Sequence, residues 1–190
     1  MSKNEDPNTS TSSMSSNYQS PVESKSKPAE IQVNTIKNKH IDIIFANILL
    51  TVLAKNRNQK DYITKINNNQ DGHFTYKVKP SISLLDYLRR IIKYVKIEYS
   101  TLIIALIYID RICKKKVFLN EYNIHRIMVI SIYIAYAYNE DRIYDKHYLS
   151  LVSGLSKSEV ISLENEFLHL IEFNLFVRED IFEQYKKCFL

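Results

Sequence analysis

The chain has 190 residues, 45% of them hydrophobic, with only two glycines, four prolines and two cysteines. So few turn-forming residues disfavour an all-β fold, which needs many tight turns, and remove every glycine-rich phosphate loop. The net charge of +5 is modest and lysines interleave with acids, so a solvated surface is favoured over a nucleic-acid groove.

Cys113 and Cys188 stand far apart with no CxxC. Neither a disulfide framework nor a zinc site is expected, and a reduced intracellular protein, in nucleus or cytoplasm, is the default. The N-terminus is polar and carries no apolar signal core. The longest apolar run, Leu102 to Ile109, falls well short of the about 20 residues that a bilayer-spanning helix needs, so no membrane association is expected.

Residues 1–37 form a low-complexity tail rich in Ser, Asn, Thr, Lys and Pro. Its apolar content is too low to offset ordering entropy, so it is read as disordered. It holds one minimal proline-directed phosphorylation dipeptide, Ser20-Pro21. Residues 38–190 are read as a single folded domain. From Asn38 the pattern turns helical, with Ile41, Ile44, Phe45, Ile48, Leu49 and Val52 on one face. The stretch from Asn56 to Lys79 is polar, with Asn67 to Gly72 expected as a flexible loop and Phe74 as a docking anchor. Pro80 punctuates it. Ser81 or Ser83 then caps a helix reaching Ile97, with Leu84, Leu85, Leu88, Ile91, Ile92 and Val95 as its stripe.

A break at Glu98-Tyr99-Ser100, with Ser100 as the expected cap, leads into Thr101 to Ile112, which is apolar nearly all round. A soluble helix of that kind must be surrounded by other helices. Asp110 and Arg111 at its end need partners, because stranding one member of a buried ion pair costs about 3–5 kcal/mol. Lys114-Lys115-Lys116 closes the helix, where positive charge suits its C-terminus.

A further helix is predicted over Asn120 to Tyr138, with Ala135 and Ala137 allowing a neighbour close approach. The polar turn Asn139 to Arg142 follows, then a short helix from Lys146 to Val152 that stops at Gly154. Ser156-x-x-Glu159 is a capping box opening a helix to Phe173 through Val160, Leu163, Phe167, Leu168, Leu170 and Ile171. Glu179 to Phe189 is a final amphipathic piece. No alternating strand pattern and no fixed-period repeat is evident, and the fold class is all-α.

The catalytic inventory is thin. The five histidines lack metal-ligand spacing, and no HExxH or GxSxG is present. His125 and His169 read as surface or packing residues. Glu164 with Glu166, and Glu140 with Asp141, are carboxylate pairs of a kind common on helices. No set of residues asks for a metal, a cofactor or a reaction, so a helical interaction module is favoured over an enzyme.

Several runs, taken in order, resemble a known family. Ile82-Ser-Leu-Leu-Asp-Tyr-Leu-Arg-Arg-Ile-Ile-Lys-Tyr94 and Leu102-Ile-Ile-Ala-Leu-Ile-Tyr-Ile-Asp-Arg-Ile112 look like the first two helices of a cyclin box. More narrowly they resemble the P/U-type branch, related to the cyclins of the yeast phosphate pathway. Asn123-Ile-His-Arg126 is similar to that branch's opening of the third helix, and Asp141-Arg-Ile-Tyr144 with Tyr148 to its turn from third to fourth helix. Gly154-Leu-Ser156, Leu163-Glu-Asn-Glu-Phe-Leu168 and Phe173-Asn-Leu175 resemble its fifth helix and the exit from it.

The resemblance implies a five-helix bundle around a central apolar helix, with a flanking N-terminal helix and a C-terminal helix. It implies a regulatory subunit that binds and activates a cyclin-dependent serine/threonine kinase, in division or nutrient signalling, with no cofactor. Arg90 is the implied partner of Asp110 in a structural ion pair. Glu164 matches the acid by which cyclins contact the kinase near its regulatory helix. The implied kinase surface lies on the third and fifth helices, with Tyr138, Glu164 and Phe167, aided by the helix near Asn38 to Ala54. Two departures stand out. Ala137 occupies the position where many cyclins carry a lysine that contacts the kinase together with the glutamate. Pro80-Ser-Ile-Ser83 replaces the substrate-docking motif of cell-cycle cyclins. A non-activating cyclin-fold adaptor or scaffold, or a helical nucleic-acid-binding module, is the alternative.

Overall fold

The computed structural model describes residues 40–68, 72–141 and 145–189. The expected tail, the middle of the Asn67 to Gly72 loop and most of the Asp141 to Tyr144 turn lie outside the described residues.

Those residues fold as helices in chain order: α1 (Ile41–Arg57), α2 (Tyr62–Asn68), α3 (Leu84–Val95), α4 (Tyr99–Lys114), α5 (Ile124–Asn139), α6 (Lys146–Ser153), α7 (Lys157–Leu170) and α8 (Glu179–Lys186), with a 3₁₀ turn at Lys187–Phe189. The five-helix box of the sequence reading is α3 to α7, flanked by α1 and α8. No strand occurs among the described residues.

The apolar run works as expected. α4 buries every residue from Thr101 to Ile109, and α5 buries Ile124 to Tyr136 apart from Arg126. Each such aliphatic side chain is worth about 1.5–3 kcal/mol on burial, so the α4–α5 contact dominates the core. Ala105 and Ala135 are both fully buried, which lets these two helices approach closely. α7 packs on α5, while α1 and α6 pack on α3. The C-terminal segment crosses α4 and returns to α1, where Phe189 packs against Phe45 at 6.5 Å and Tyr99 at 5.7 Å.

The caps follow local chemistry. Ser83 Oγ accepts the Asp86 N–H at 3.1 Å, and the Ser156–Glu159 capping box forms in both directions. Gly154 ends α6 at φ 75°, the left-handed conformation that glycine adopts without cost.

Two expectations need correction. The polar stretch after α1 contains α2, which Ile66 anchors to the core. Its polar sequence carries little amphipathic signal. At α4 the capping position is Glu98, not Ser100. The acceptor comes from the far end of α5, where Glu140 Oε1 takes the Thr101 hydroxyl at 2.5 Å and the Glu98 N–H at 3.4 Å. A cap supplied across the fold leaves no local trace.

Candidate interaction surface

The polar end of the central helix is wired differently from the expected Arg90–Asp110 pair. Asp110 receives the Tyr185 hydroxyl of α8 at 2.7 Å and Lys114 of its own helix at 2.7 Å. Arg90 instead donates to the Leu151 carbonyl of α6 at 3.3 Å. Its neighbour Arg89 pairs with Asp42 of α1 at 2.6 Å. A helix turns about 100° per residue, so adjacent arginines address different neighbours. The result is that Asp110 locks the C-terminal segment, while α3 is tied to α1 and α6.

Arg111 also serves that segment. Its guanidinium lies over the Tyr108 ring, 5.6 Å from the centroid, and donates to the carbonyls of Asn174 and Phe176. Tyr108 donates its hydroxyl to Leu175 O at 2.7 Å, and burial pushes that phenol up to about 12. The exit from α7 is thus fixed to the end of α4. It contains two consecutive non-glycine residues in the left-handed region, Glu172 at φ 54° and Phe173 at φ 55°. Each costs about 1–2 kcal/mol. The Phe173 N–H to Leu168 O bond of 2.9 Å and the Lys115–Glu172 ion pair hold them there. The outcome is that Phe173 projects outward, 60% exposed, with Phe176 67% exposed beyond it.

Tyr138, at the end of α5, is 53% exposed and belongs to the surroundings of the same Tyr108 phenol. Three large aromatic side chains therefore stand exposed along the ends of α5 and α7. Solvent contact on such rings is unfavourable, and exposed apolar patches on folded domains mark interaction sites.

Glu164 is the acid that the family resemblance assigns to the kinase contact. Glu164 of α7 is largely covered, and Lys146 Nζ at the start of α6 stands 2.6 Å from its Oε2. The contact is an ion pair rather than an aligned hydrogen bond, since that oxygen is buried without a well-oriented donor. The carboxylate raises the Lys146 pKa through direct contact and, after burial, raises that of Tyr133 as well. Ala137 is half-buried on α5.

Phe167 does not belong to this surface. It is fully buried and meets Phe74 edge-on at 6.2 Å. It anchors the segment before α3 to α7, a packing role set by its position on the inner stripe of the helix. Phe173, Phe176 and Lys146 were absent from the sequence-derived set. Phe173 and Phe176 gave little signal, because the exit Phe173-Asn-Leu-Phe-Val177 is mostly apolar and reads as core. Lys146 gave none, because its role depends on how α6 meets α7.

The histidines fall in separate places. His125 is buried, donates through Nε2 to Ile82 O at 3.1 Å, and stacks near Tyr87. His73 pairs with Glu166 at 2.8 Å. Among the described residues, no group of three His, Cys, Asp or Glu is placed to hold a metal ion, and no helix is long and apolar enough to cross a membrane.

Comparison with known proteins agrees with this architecture. A family model described as "Cyclin" matches residues 1–175. The chain is 35% identical over 160 residues to Cyclin-U4-3 of Arabidopsis thaliana, covering 80% of this chain and 73% of that protein. It is 34% identical over 109 residues to Cyclin-P4-1 of Oryza sativa subsp. japonica, covering 56% and 51% of the two chains. It is 34% identical over 115 residues to PHO85 cyclin-like protein psl1 of Schizosaccharomyces pombe, covering 59% and 47%. The match thus spans about half the length of the last two relatives. A central apolar helix inside a bundle, the ordered motifs along it and these matches make the chain a member of the cyclin family, of the P/U type.

Proposed function

We propose that the protein is the regulatory subunit of a cyclin-dependent serine/threonine kinase, which it binds and activates through the ends of α5 and α7 and the start of α6. The observation that carries this reading is the exposed Phe173, held in a strained left-handed conformation in the same exit as exposed Phe176, with Tyr138 exposed at the end of α5. Non-glycine strain of this kind persists where surrounding structure over-determines it, and such places cluster at functional sites. Aromatic residues are the commonest anchors of protein interfaces. The Lys146–Glu164 pair adds a charged element where α6 meets α7. It supports the reading that the usual lysine–glutamate contact survives here, with its cation moved from position 137 to α6.

The protein's part is mechanical. Docking of the aromatic edge presses the kinase's regulatory helix inward, so that the kinase's own lysine–glutamate ion pair forms and the phosphates of its nucleotide are correctly held. The printed name of one relative, PHO85 cyclin-like protein psl1, is in keeping with a partner of this class.

The test is affinity capture from lysate of the source cells with wild type, Glu164→Arg and Phe173→Gly, with the captured kinase identified and assayed. A kinase retained by wild type and lost with both variants is the expected result. Equal retention by all three removes this face from the interface. A bound but silent kinase makes the protein an adaptor.

A further inference from the structure

A cavity of about 230 Å³ lies between α1, α4 and the C-terminal segment. Its walls are Ile48 and Val52 of α1, Leu106 and Ile109 of α4, and Leu119. Tyr185 and Cys188 close the remaining side. Three ties around it keep it open. Asn56 at the end of α1 donates to Leu119 O at 2.9 Å. The Tyr185 hydroxyl reaches Asp110 at 2.7 Å. Phe189 is seated against Phe45 at 6.5 Å and Tyr99 at 5.7 Å. The Tyr185 ring is thus a strut between α8 and the end of α4, and the segment cannot settle onto α4 to close the gap. Protein interiors pack at crystal density, with few voids larger than a water molecule. A void of this size, held at three points, is a preformed site rather than loose packing.

Its polar groups are few. Burial, and then Asp110, push the Cys113 thiol up to about 12, so it stays protonated and counts as apolar wall. The one charge in the lining is Asp110. Both of its side-chain contacts, from Tyr185 and Lys114, fall on Oδ2. Among the described residues Oδ1 accepts no bond, and a carboxylate oxygen has lone pairs to offer a further donor. Along α4 the cavity runs from Leu106 to Cys113, a length of about 10 Å at the helical rise per residue. An apolar cavity of about 150 Å³ holds benzene, so this one has room for a single ring with a substituent.

We propose that this cavity binds a small uncharged molecule with a one-ring apolar body and a hydroxyl donor, the ring against Ile48, Leu106 and Ile109 and the hydroxyl donating to Asp110 Oδ1. A substituted phenol is the simplest member of the class. The carboxylate repels an anion, and an amine gains little because Lys114 already neutralises Asp110 at 2.7 Å. A hydroxyl on a carboxylate is a charge-assisted bond, which sets the class apart from a plain hydrocarbon. The site is independent of the proposed kinase face, since none of its lining comes from α5, α6 or α7. A molecule bound there bridges α1, α4 and α8 and stabilises their packing by mass action.

The test titrates the isotope-labelled full chain with p-cresol, toluene and p-toluate and follows the amide signals by NMR. The three probes share a ring and a methyl group and differ only in donor and charge. The expected result is saturable shifts centred on α1, α4 and the C-terminal segment. p-Cresol should bind at least about fivefold more tightly than toluene, and p-toluate should not bind. Ile48→Phe fills the cavity and should weaken p-cresol at least about tenfold, with retained amide dispersion checking that the fold is kept. Asp110→Asn keeps an acceptor and removes the charge, so it should admit p-toluate. The wild-type titrations need no variant to fold. Absence of saturation, shifts centred on other helices, toluene binding as tightly as p-cresol, or p-toluate binding to wild type overturns the proposal. Equal binding of p-cresol to a folded Ile48→Phe overturns it as well.

Discussion

At Asp110, a residue that is common at helix ends in sequence acquires a specific task from its surroundings. It binds α8 through Tyr185 and has no bond to Arg90. A double-mutant cycle between Arg90→Ala and Asp110→Ala is therefore expected to give a coupling near zero in urea unfolding. Tyr185→Phe, by contrast, should cost about 1 kcal/mol, because it removes one hydrogen bond to a charged, partly exposed acceptor. His125 offers a pH readout. Burial lowers its pKa from 6.5, the Ile82 carbonyl opposing this only in part. A folded pKa below the unfolded value means the unfolded chain binds the extra proton first. That contribution to stability is thus fully present above pH 6.5 and lost as pH falls through the folded value. Urea midpoints measured downward from neutral pH should fall, and His125→Gln should flatten that slope. A slope unchanged in the variant would assign the effect to other groups.

At the scale of the elements, what the sequence revealed and what it hid have physical reasons. α4 and α5 were legible because a long apolar run has one solution in water, burial on every side. The capping box at Ser156 and the stop at Gly154 were legible because their chemistry is local. α2, the Glu140 cap of α4 and the Lys146–Glu164 pair were hidden because each depends on a partner distant in the chain. Glu164 and Tyr138 were identified only through family resemblance. Phe167 lies with Val160 and Leu163 on the buried stripe that the helical pattern marks, and only the family resemblance places it on the surface. The cap gives a quantitative expectation. Ser156→Ala should destabilise the domain by about 1 kcal/mol, seen as a lower urea midpoint with unchanged slope. The exit from α7 gives another of opposite sign. Phe173→Gly relieves a left-handed non-glycine residue, so stability should hold or rise by about 1 kcal/mol while kinase retention is lost. A drop in both would mean that Phe173 supports the fold rather than the interface.

At the scale of the whole fold, residues 40–189 pack around a central pair of helices, α4 and α5. The C-terminal segment is tied back to α4 by Tyr108, Arg111 and Asp110, so the aromatic edge is presented by the core itself. Preorganisation of that kind reduces the ordering cost of association. It suits the proposed role, in which a mobile kinase element is held in one position.

The most direct measurement is phosphoryl transfer to a serine/threonine peptide by the purified captured kinase, alone, with wild type and with Glu164→Arg. Activity that appears only with the wild-type protein is the predicted result. A kinase equally active alone, or equally stimulated by Glu164→Arg, would contradict the account.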